Sequence, residues 1–326
     1  MTASTEALDA GAPHTRVPDF FIVGQAKSGT TALYEMLRRH PQIYMPEVKE
    51  PWYFTTEDGS TSSVRRREML EEYVSLFDAA APGQRVGEAS PSYIWSRVAA
   101  ARISAVRPDA RIIVILREPA SFLRSLHLQL VQSHIETEKD LRKAIALEDE
   151  RRHGRHVPRF AGSSVERLLY SERVRYVEQL RRFDAVFPPE QMLVLIYDDF
   201  RRDNQATVRT ILRFLDVEDR YPIEVVEANP TVRVRFQQLD LLAHTVSVGG
   251  DRLPRALKAT VKALTTQGLR RRALRLTRRS AIHSEPPPPD PGLMLELRRR
   301  FKSEVVELSA YLERDLVALW GYDALD

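Results

Sequence analysis

FFIVGQAKSGTTALYEMLRR, residues 20–39, decides the fold. Phe20, Phe21, Ile22 and Val23 form an unbroken apolar run, Gly24 and Gly29 follow, and Ala32, Leu33, Met36 and Leu37 then recur at helical spacing. That order is strand, glycine turn, helix, the layout of a phosphate-binding loop. Glycine lets the backbone approach an anion closely. The first N–H groups of the helix lack internal partners and sit at the positive end of its dipole, which completes the cradle.

Gly24 and Gly29 keep the spacing of the nucleotide-triphosphatase loop, G-x-x-x-x-G-K-[ST], but Thr30 stands where its lysine would. The lysine of this loop is Lys27, two residues before Gly29, so the backbone cradle is kept and the cation is displaced. A lysine there meets the far side of a 5′-phosphate group and is placed to neutralise charge developing on a leaving oxygen. The plain alternative is an ordinary glycine turn ahead of a helix.

RIIVIL, residues 111–116, has the continuous apolar character of a strand buried in a parallel sheet. It ends in Arg117, Glu118 and Pro119, and helical spacing resumes through Leu123, Leu126 and Leu130. Arg117 is therefore expected at a strand's carboxyl end, where open α/β sheets bind ligands. Its guanidinium suits bidentate recognition of phosphate, although a surface ion pair is the ordinary alternative. Ser125, about two turns into the helix, is expected on the same side.

The remaining segments extend this α/β pattern. RVGE, residues 85–88, predicts a short strand, and the turn after it carries Ser90, Pro91 and Tyr93, with Ser90 facing a ligand or capping a helix through Ile94 and Val98. QMLVLIY, residues 191–197, predicts another buried strand, and Asp203 a helix cap ahead of Leu215. Between residues 40 and 56, three prolines break any helix, and Trp52, Tyr53 and Phe54 predict a strand-like segment. Glu50 stands beside Pro51 and those aromatics, where partial desolvation would make a carboxylate more basic; the alternative is a solvated loop residue. Residues 65–78 and 163–183 read as helices. Residues 136–160, with Arg151, Arg152, His153, Arg155 and His156 clustered, read as a mobile loop or helix end with a solvated basic surface.

Length and composition bound the rest. The 326 residues allow one large domain or two modest ones, 43% hydrophobic and 29% charged residues are a globular composition, and the net charge is only +4. That balance suits an anionic ligand and does not demand nucleic acid. With no cysteine there are no disulfides, thiolate nucleophiles or thiolate metal sites. No cluster has metal-ligand spacing, and no apolar run reaches the ~18 residues of a membrane span. Residues 1–17 lack the apolar core of a secretion signal and read as a disordered tail, with cytoplasmic location as the expectation. Residues 251–283 hold ten Lys and Arg against one Asp. They read as a basic amphipathic helix, centred on residues 252–279, that either lids a site or touches a membrane surface or acidic partner. PPPPDPG, residues 286–292, predicts a stiff linker into a final helix reaching Trp320.

Taken in order, FIVGQAKSGTTAL, KEPWYF, GEASPSY, IIVILREPASFLRS and VLIYDDF resemble the sulfotransferases that use 3′-phosphoadenosine 5′-phosphosulfate (PAPS), over about residues 19–235. The likeness is greatest to bacterial members and the heparan-type carbohydrate branch. It implies a three-layer α/β P-loop-type fold, a central parallel sheet flanked by helices, as an 18–250 domain with a helical extension over 251–326. It implies that Gln25, Lys27, Ser28, Gly29, Thr30 and Thr31 hold the 5′-phosphosulfate, that Arg117 and Ser125 hold the 3′-phosphate, and that Glu50 is the base on an acceptor hydroxyl. Asn229 to Arg235 resembles the loop that closes over the cofactor but lacks its Lys-Gly or Arg-Gly pair, so Arg233 and Arg235 carry over weakly. Three departures stand out from the carbohydrate members: Ala89 replaces a lysine, Phe122 an arginine and Trp52 a histidine. The acceptor, whether small molecule, lipid or carbohydrate, stays open. The implied reaction needs no metal and releases adenosine 3′,5′-bisphosphate (PAP). A P-loop kinase and a non-catalytic nucleotide-binding module are the other readings.

Overall fold

The computed structural model describes residues 16–55, 63–161, 165–224 and 288–325, together with two short strands, Arg233–Val234 and His283–Ser284. Five parallel strands make one sheet: β1 (Phe20–Gly24), β2 (Ile43–Tyr44), β3 (Arg85–Ala89), β4 (Arg111–Leu116) and β5 (Met192–Ile196). Their order is β2-β3-β1-β4-β5, so β1 has β3 on one side and β4 on the other. Parallel neighbours require crossovers, and helices α1 (Thr30–Arg38), α2 (Ser63–Ser75) and α3 (Ala99–Val106) supply three of them. This is the P-loop-type α/β fold that the glycine loop implied.

The sheet is central because its middle strands are apolar on both faces. Phe20 to Val23 and Ile112 to Leu116 are all fully buried. On one face Phe20, Ile22, Ile113 and Ile115 pack with Leu33 and Leu37 of α1 and with Ile211 and Leu212 of the helix Asn204–Phe214. Each such side chain contributes about 1.5–3 kcal/mol on burial. The strand order reverses at β1, which places the crevice outside the carboxyl end of that strand, at the glycine loop.

Chain-contact boundaries divide the protein into two compact units, residues 1–122, 172–229 and 296–326 forming one, and 123–171 and 230–295 the other. The helix α4 (Pro119–Gln132) begins in the first and ends in the second. The first unit holds the sheet. In the second, Arg151 and Glu136 form a fully buried bidentate pair with both bonds at 2.8 Å, and Tyr170 donates to Glu136 Oε2 at 2.9 Å. The strands Arg233–Val234 and His283–Ser284 pair antiparallel there.

Five expectations are corrected. β5 is only half-buried over Met192–Leu195, because it forms an edge of the sheet rather than an inner strand. Tyr53–Thr55 is one 3-10 turn and not a strand; Glu50 and Trp52 both have positive φ, 62° and 56°, which takes the chain out of an extended course. Ser90 caps no helix: its Oγ accepts from Trp52 N at 3.4 Å, while Ser96 Oγ accepts from the N–H groups of Val98 and Ala99 where α3 begins. Arg151 does not belong to a solvated basic surface, because Glu136 neutralises it inside. The 252–279 helix lies outside the described residues. The final helix is three, Pro291–Arg300, Lys302–Tyr311 and Leu316–Leu319.

Candidate active site

The cradle is built by β1, α1 and the loop between them. Gly29 precedes α1 with φ 85°, a left-handed conformation, and a Cβ there would come within 2.9 Å of the Phe200 ring. Conformation and space both require glycine. No side chain caps the helix, so its first N–H groups are left for an anion. Thr30 is buried and Thr31 half-buried on that first turn. Ser28 is fully buried and its Oγ donates to Ala26 O at 3.4 Å.

Gln25 has another task. Its N–H donates to Ile115 O at 2.8 Å, its Nε2 to Arg173 O at 2.9 Å, and its Oε1 accepts from Ala26 N at 3.1 Å. The side chain is spent on the protein, so Gln25 braces the loop against β4.

Lys27, at the crest of the loop with φ 61°, is the centre of the charge arrangement. Arg117 donates from Nη1 to Lys27 O at 2.9 Å, and its guanidinium lies over the Tyr197 ring, 4.9 Å from the centroid. Burial pushes the Lys27 ammonium pKa down, the nearby Arg117 charge pushes it further, and Glu50 opposes both. Two cations and one carboxylate thus meet beside an uncapped helix start. Two cations together are costly without an anion between them, and a phosphate fits that role.

Arg117 is held from behind. Tyr176 donates to its carbonyl at 2.9 Å, and the next residue, Glu118, caps α4 by accepting from Ala120 N at 3.1 Å and Ser121 N at 2.7 Å. Pro119 at the first helical position is what such a cap favours. Ser125 lies on α4 in the second unit, buried, and its Oγ has no hydrogen-bond partner among the described residues. A buried hydroxyl left without a partner is costly, and an anionic ligand would satisfy it.

Glu50 is partly exposed and donates its backbone N–H to Ala89 O at 3.2 Å. Its Oε1 pairs with Lys49 Nζ at 2.6 Å, which leaves Oε2 as the oxygen for an incoming proton. Trp52, two residues on, is among the exposed large apolar side chains, at 49%. His127 of α4, the other group in which a base would be sought, is buried: Nδ1 meets the Tyr170 hydroxyl at 3.0 Å and Nε2 the Lys139 carbonyl at 3.2 Å. It has no nitrogen free for an acceptor. Of the two arginines carried over weakly, Arg233 lies in its short strand and Arg235 is outside the described residues.

Sequence reasoning missed Tyr197, Phe200 and Lys49. Tyr197 begins the helix Tyr197–Arg202 directly after β5, and position at a strand's carboxyl end was the signal available for it. Lys49 precedes Glu50 in sequence, but nothing in that adjacency says that the two side chains pair. Among the described residues no group of three or more His, Asp or Glu is arranged to hold a metal, and no helix is long and apolar enough to cross a membrane.

Comparison with known proteins gives the family. Residues 18–221 match the model of the sulfotransferase family. Carbohydrate sulfotransferase 15 of Mus musculus is 26% identical over 254 residues, covering 62% of this chain and 44% of that protein. Heparan sulfate glucosamine 3-O-sulfotransferase 6 of Homo sapiens is 37% identical over 116 residues, 35% of this chain and 31% of that protein. The chain spans less than half the length of these curated relatives. A solved sulfotransferase from Alicyclobacillus acidocaldarius superposes with a TM-score of 0.64 at 25% identity, covering 93% of this chain and 98% of that one.

Proposed function

Because the chain belongs to the sulfotransferase family, we propose that it moves the sulfuryl group of PAPS to a hydroxyl of a carbohydrate, with Glu50 as general base. The observation that carries this reading is the meeting of Lys27, Arg117 and Glu50 at the uncapped start of α1. The carbohydrate acceptor is supported by the similarity to carbohydrate sulfotransferase 15 and to a heparan sulfate glucosamine 3-O-sulfotransferase.

PAPS supplies an already activated sulfuryl group, so the protein's part is positioning and charge neutralisation. The first N–H groups of α1, with Ser28, Thr30 and Thr31, bind its 5′ end. Arg117 binds its 3′-phosphate. Glu50 accepts the acceptor's proton at the oxygen that Lys49 does not occupy. Lys27 and the loop amides neutralise charge gathering on the leaving oxygen.

Two variants separate chemistry from capture. Glu50→Gln keeps the size and removes the base, so PAP binding is expected to survive while turnover falls by about 10²–10⁴. Lys27→Ala is expected to slow turnover and to weaken PAP binding as well. The assay is PAP release from PAPS with a panel of acceptors: a heparan sulfate oligosaccharide, a simple glycoside, a long-chain alcohol and a phenol. Glu50→Gln turning over within a few-fold of wild type on the best acceptor removes Glu50 as base. A phenol or long-chain alcohol outpacing both sugars removes the carbohydrate reading.

A further inference from the structure

The loop that bears Glu50 is held in a strained course. Glu50 and Trp52 take φ 62° and 56°, left-handed values that L side chains keep only under outside restraint. That restraint comes from the end of β3 and the turn after it, at alternate residues of the loop. Glu50 N donates to Ala89 O at 3.2 Å, Trp52 N to Ser90 Oγ at 3.4 Å, and Phe54 N to the Tyr93 hydroxyl at 3.4 Å. Thr55 N closes the turn on Trp52 O at 3.1 Å, so a shift at Phe54 carries Trp52 with it.

The third of these bonds has a support of its own. Tyr93 is fully buried, and its hydroxyl donates to Glu88 Oε2 at 2.9 Å. Glu88 lies within β3, one residue before the strand's end, and is fully enclosed. The same oxygen accepts from the Tyr73 hydroxyl of α2 at 3.0 Å. With its proton claimed by Glu88, the Tyr93 hydroxyl turns its lone pairs to Phe54 N. Rings close the same joint: Phe54 stands edge-on to Phe21, Tyr73 and Tyr93, at centroid distances of 5.7, 5.4 and 5.8 Å, and Tyr53 stacks on Tyr73 at 4.5 Å. Glu88 has no part in the reaction as described; its contacts orient one hydroxyl toward the loop of the base.

Resting on the reading of Glu50 as base, we propose that Tyr93, oriented by Glu88, is a positioning residue that holds this loop in the course presenting Glu50 to the acceptor hydroxyl. Proton transfer needs the carboxylate within hydrogen-bond reach of that hydroxyl, and a misplacement of about 1 Å costs on the order of 10²-fold. PAPS is held elsewhere, by the glycine loop and Arg117. Loss of the Tyr93 hydroxyl therefore acts on turnover and not on capture of the cofactor.

Tyr93→Phe keeps the ring and removes the hydroxyl. With a heparan sulfate oligosaccharide and PAPS, it is expected to lower kcat by about tenfold to a hundredfold, while the KM for PAPS and the affinity for PAP stay within about twofold. Tyr73→Phe takes a donor from the same Glu88 oxygen but no bond from the loop, and is expected to keep kcat within about twofold of wild type. In the Glu50→Gln background Tyr93→Phe is expected to slow turnover no further, because the loop then carries no base to position. Unimpaired kcat in Tyr93→Phe, an equal loss in Tyr73→Phe, or the same factor lost with and without Glu50 overturns the proposal. A second readout needs neither acceptor nor variant: amide exchange of the PAP-bound wild type, followed by NMR. The Phe54 N–H is expected to exchange at least about 100-fold more slowly than in an unfolded chain. Exchange at the unfolded-chain rate overturns the proposal, even should Tyr93→Phe not fold. Glu50→Gln turning over within a few-fold of wild type removes the base assignment and this proposal together. A large loss in Glu50→Gln with none in Tyr93→Phe removes the proposal alone.

Discussion

Arg117 and Glu88 show how single residues at strand ends acquire roles from what surrounds them. Arg117 gives one N–H to Lys27 O and stacks on Tyr197, which leaves the rest of its fork for a ligand. If that ligand group is the 3′-phosphate, Arg117→Ala should weaken PAPS binding by about 1.5–3 kcal/mol, the worth of a charged hydrogen bond. Adenosine 5′-phosphosulfate lacks that phosphate and should lose much less; calorimetric titration returning equal losses for the two would show that Arg117 does not read it. Glu88 makes a stability prediction independent of turnover. Its carboxyl is raised from an ordinary 4.5 to about 7 in the fold, so across that window the folded state holds a proton that the unfolded chain has released. Stability from this group is therefore lost as pH rises, on the order of 3 kcal/mol in all. Glu88→Gln has no such loss. Urea unfolding below and above the window should find the variant gaining on wild type as pH rises, and a constant gap would mean that Glu88 is ionised throughout.

At the scale of elements, legibility followed locality. The strand–loop–helix over residues 20–39 was readable because an apolar run, two glycines and a helical stripe are all local signals, and the structure returns β1 and α1 within it. β4 and the turn at Arg117 were readable for the same reason, and the Asp203 cap is observed, its side chain accepting from Ala206 N at 2.9 Å. The Tyr53–Thr55 turn was not readable, because the positive φ values at Glu50 and Trp52 come from the loop's hydrogen bonds to Ala89 and Ser90, far off in sequence. Arg151 looked like one more member of a basic cluster because its neutralising partner, Glu136, lies 15 residues away. Within the site, residues that hold their position by backbone geometry, Lys27 and Gly29, were legible. Those that matter by contact, Tyr197 with Arg117 and Lys49 with Glu50, were not.

At the scale of the whole chain, the C-terminal segment reaches back to the turns that carry the site. Arg314 pairs with Asp199 at 2.5 Å, Trp320 Nε1 donates to Asp198 at 2.9 Å, and Tyr322 donates to Glu118 Oε1 at 2.6 Å. Asp198 and Asp199 follow Tyr197, the ring under Arg117, and Glu118 follows Arg117 itself, so one segment clasps both strand-end turns from outside. Tyr322 is fully buried, so Tyr322→Phe removes a charge-assisted bond with no water to replace it, and about 1–3 kcal/mol of stability should go with it. Glu118 still accepts from Ala120 and Ser121 in that variant, so the start of α4 stays capped and Arg117 stays placed. Thermal unfolding should therefore shift down while PAP affinity holds within about twofold, since only terms that differ between the free and bound states alter affinity. A large loss of PAP affinity in Tyr322→Phe would mean instead that the clasp, and not the helix cap, holds Arg117 in position.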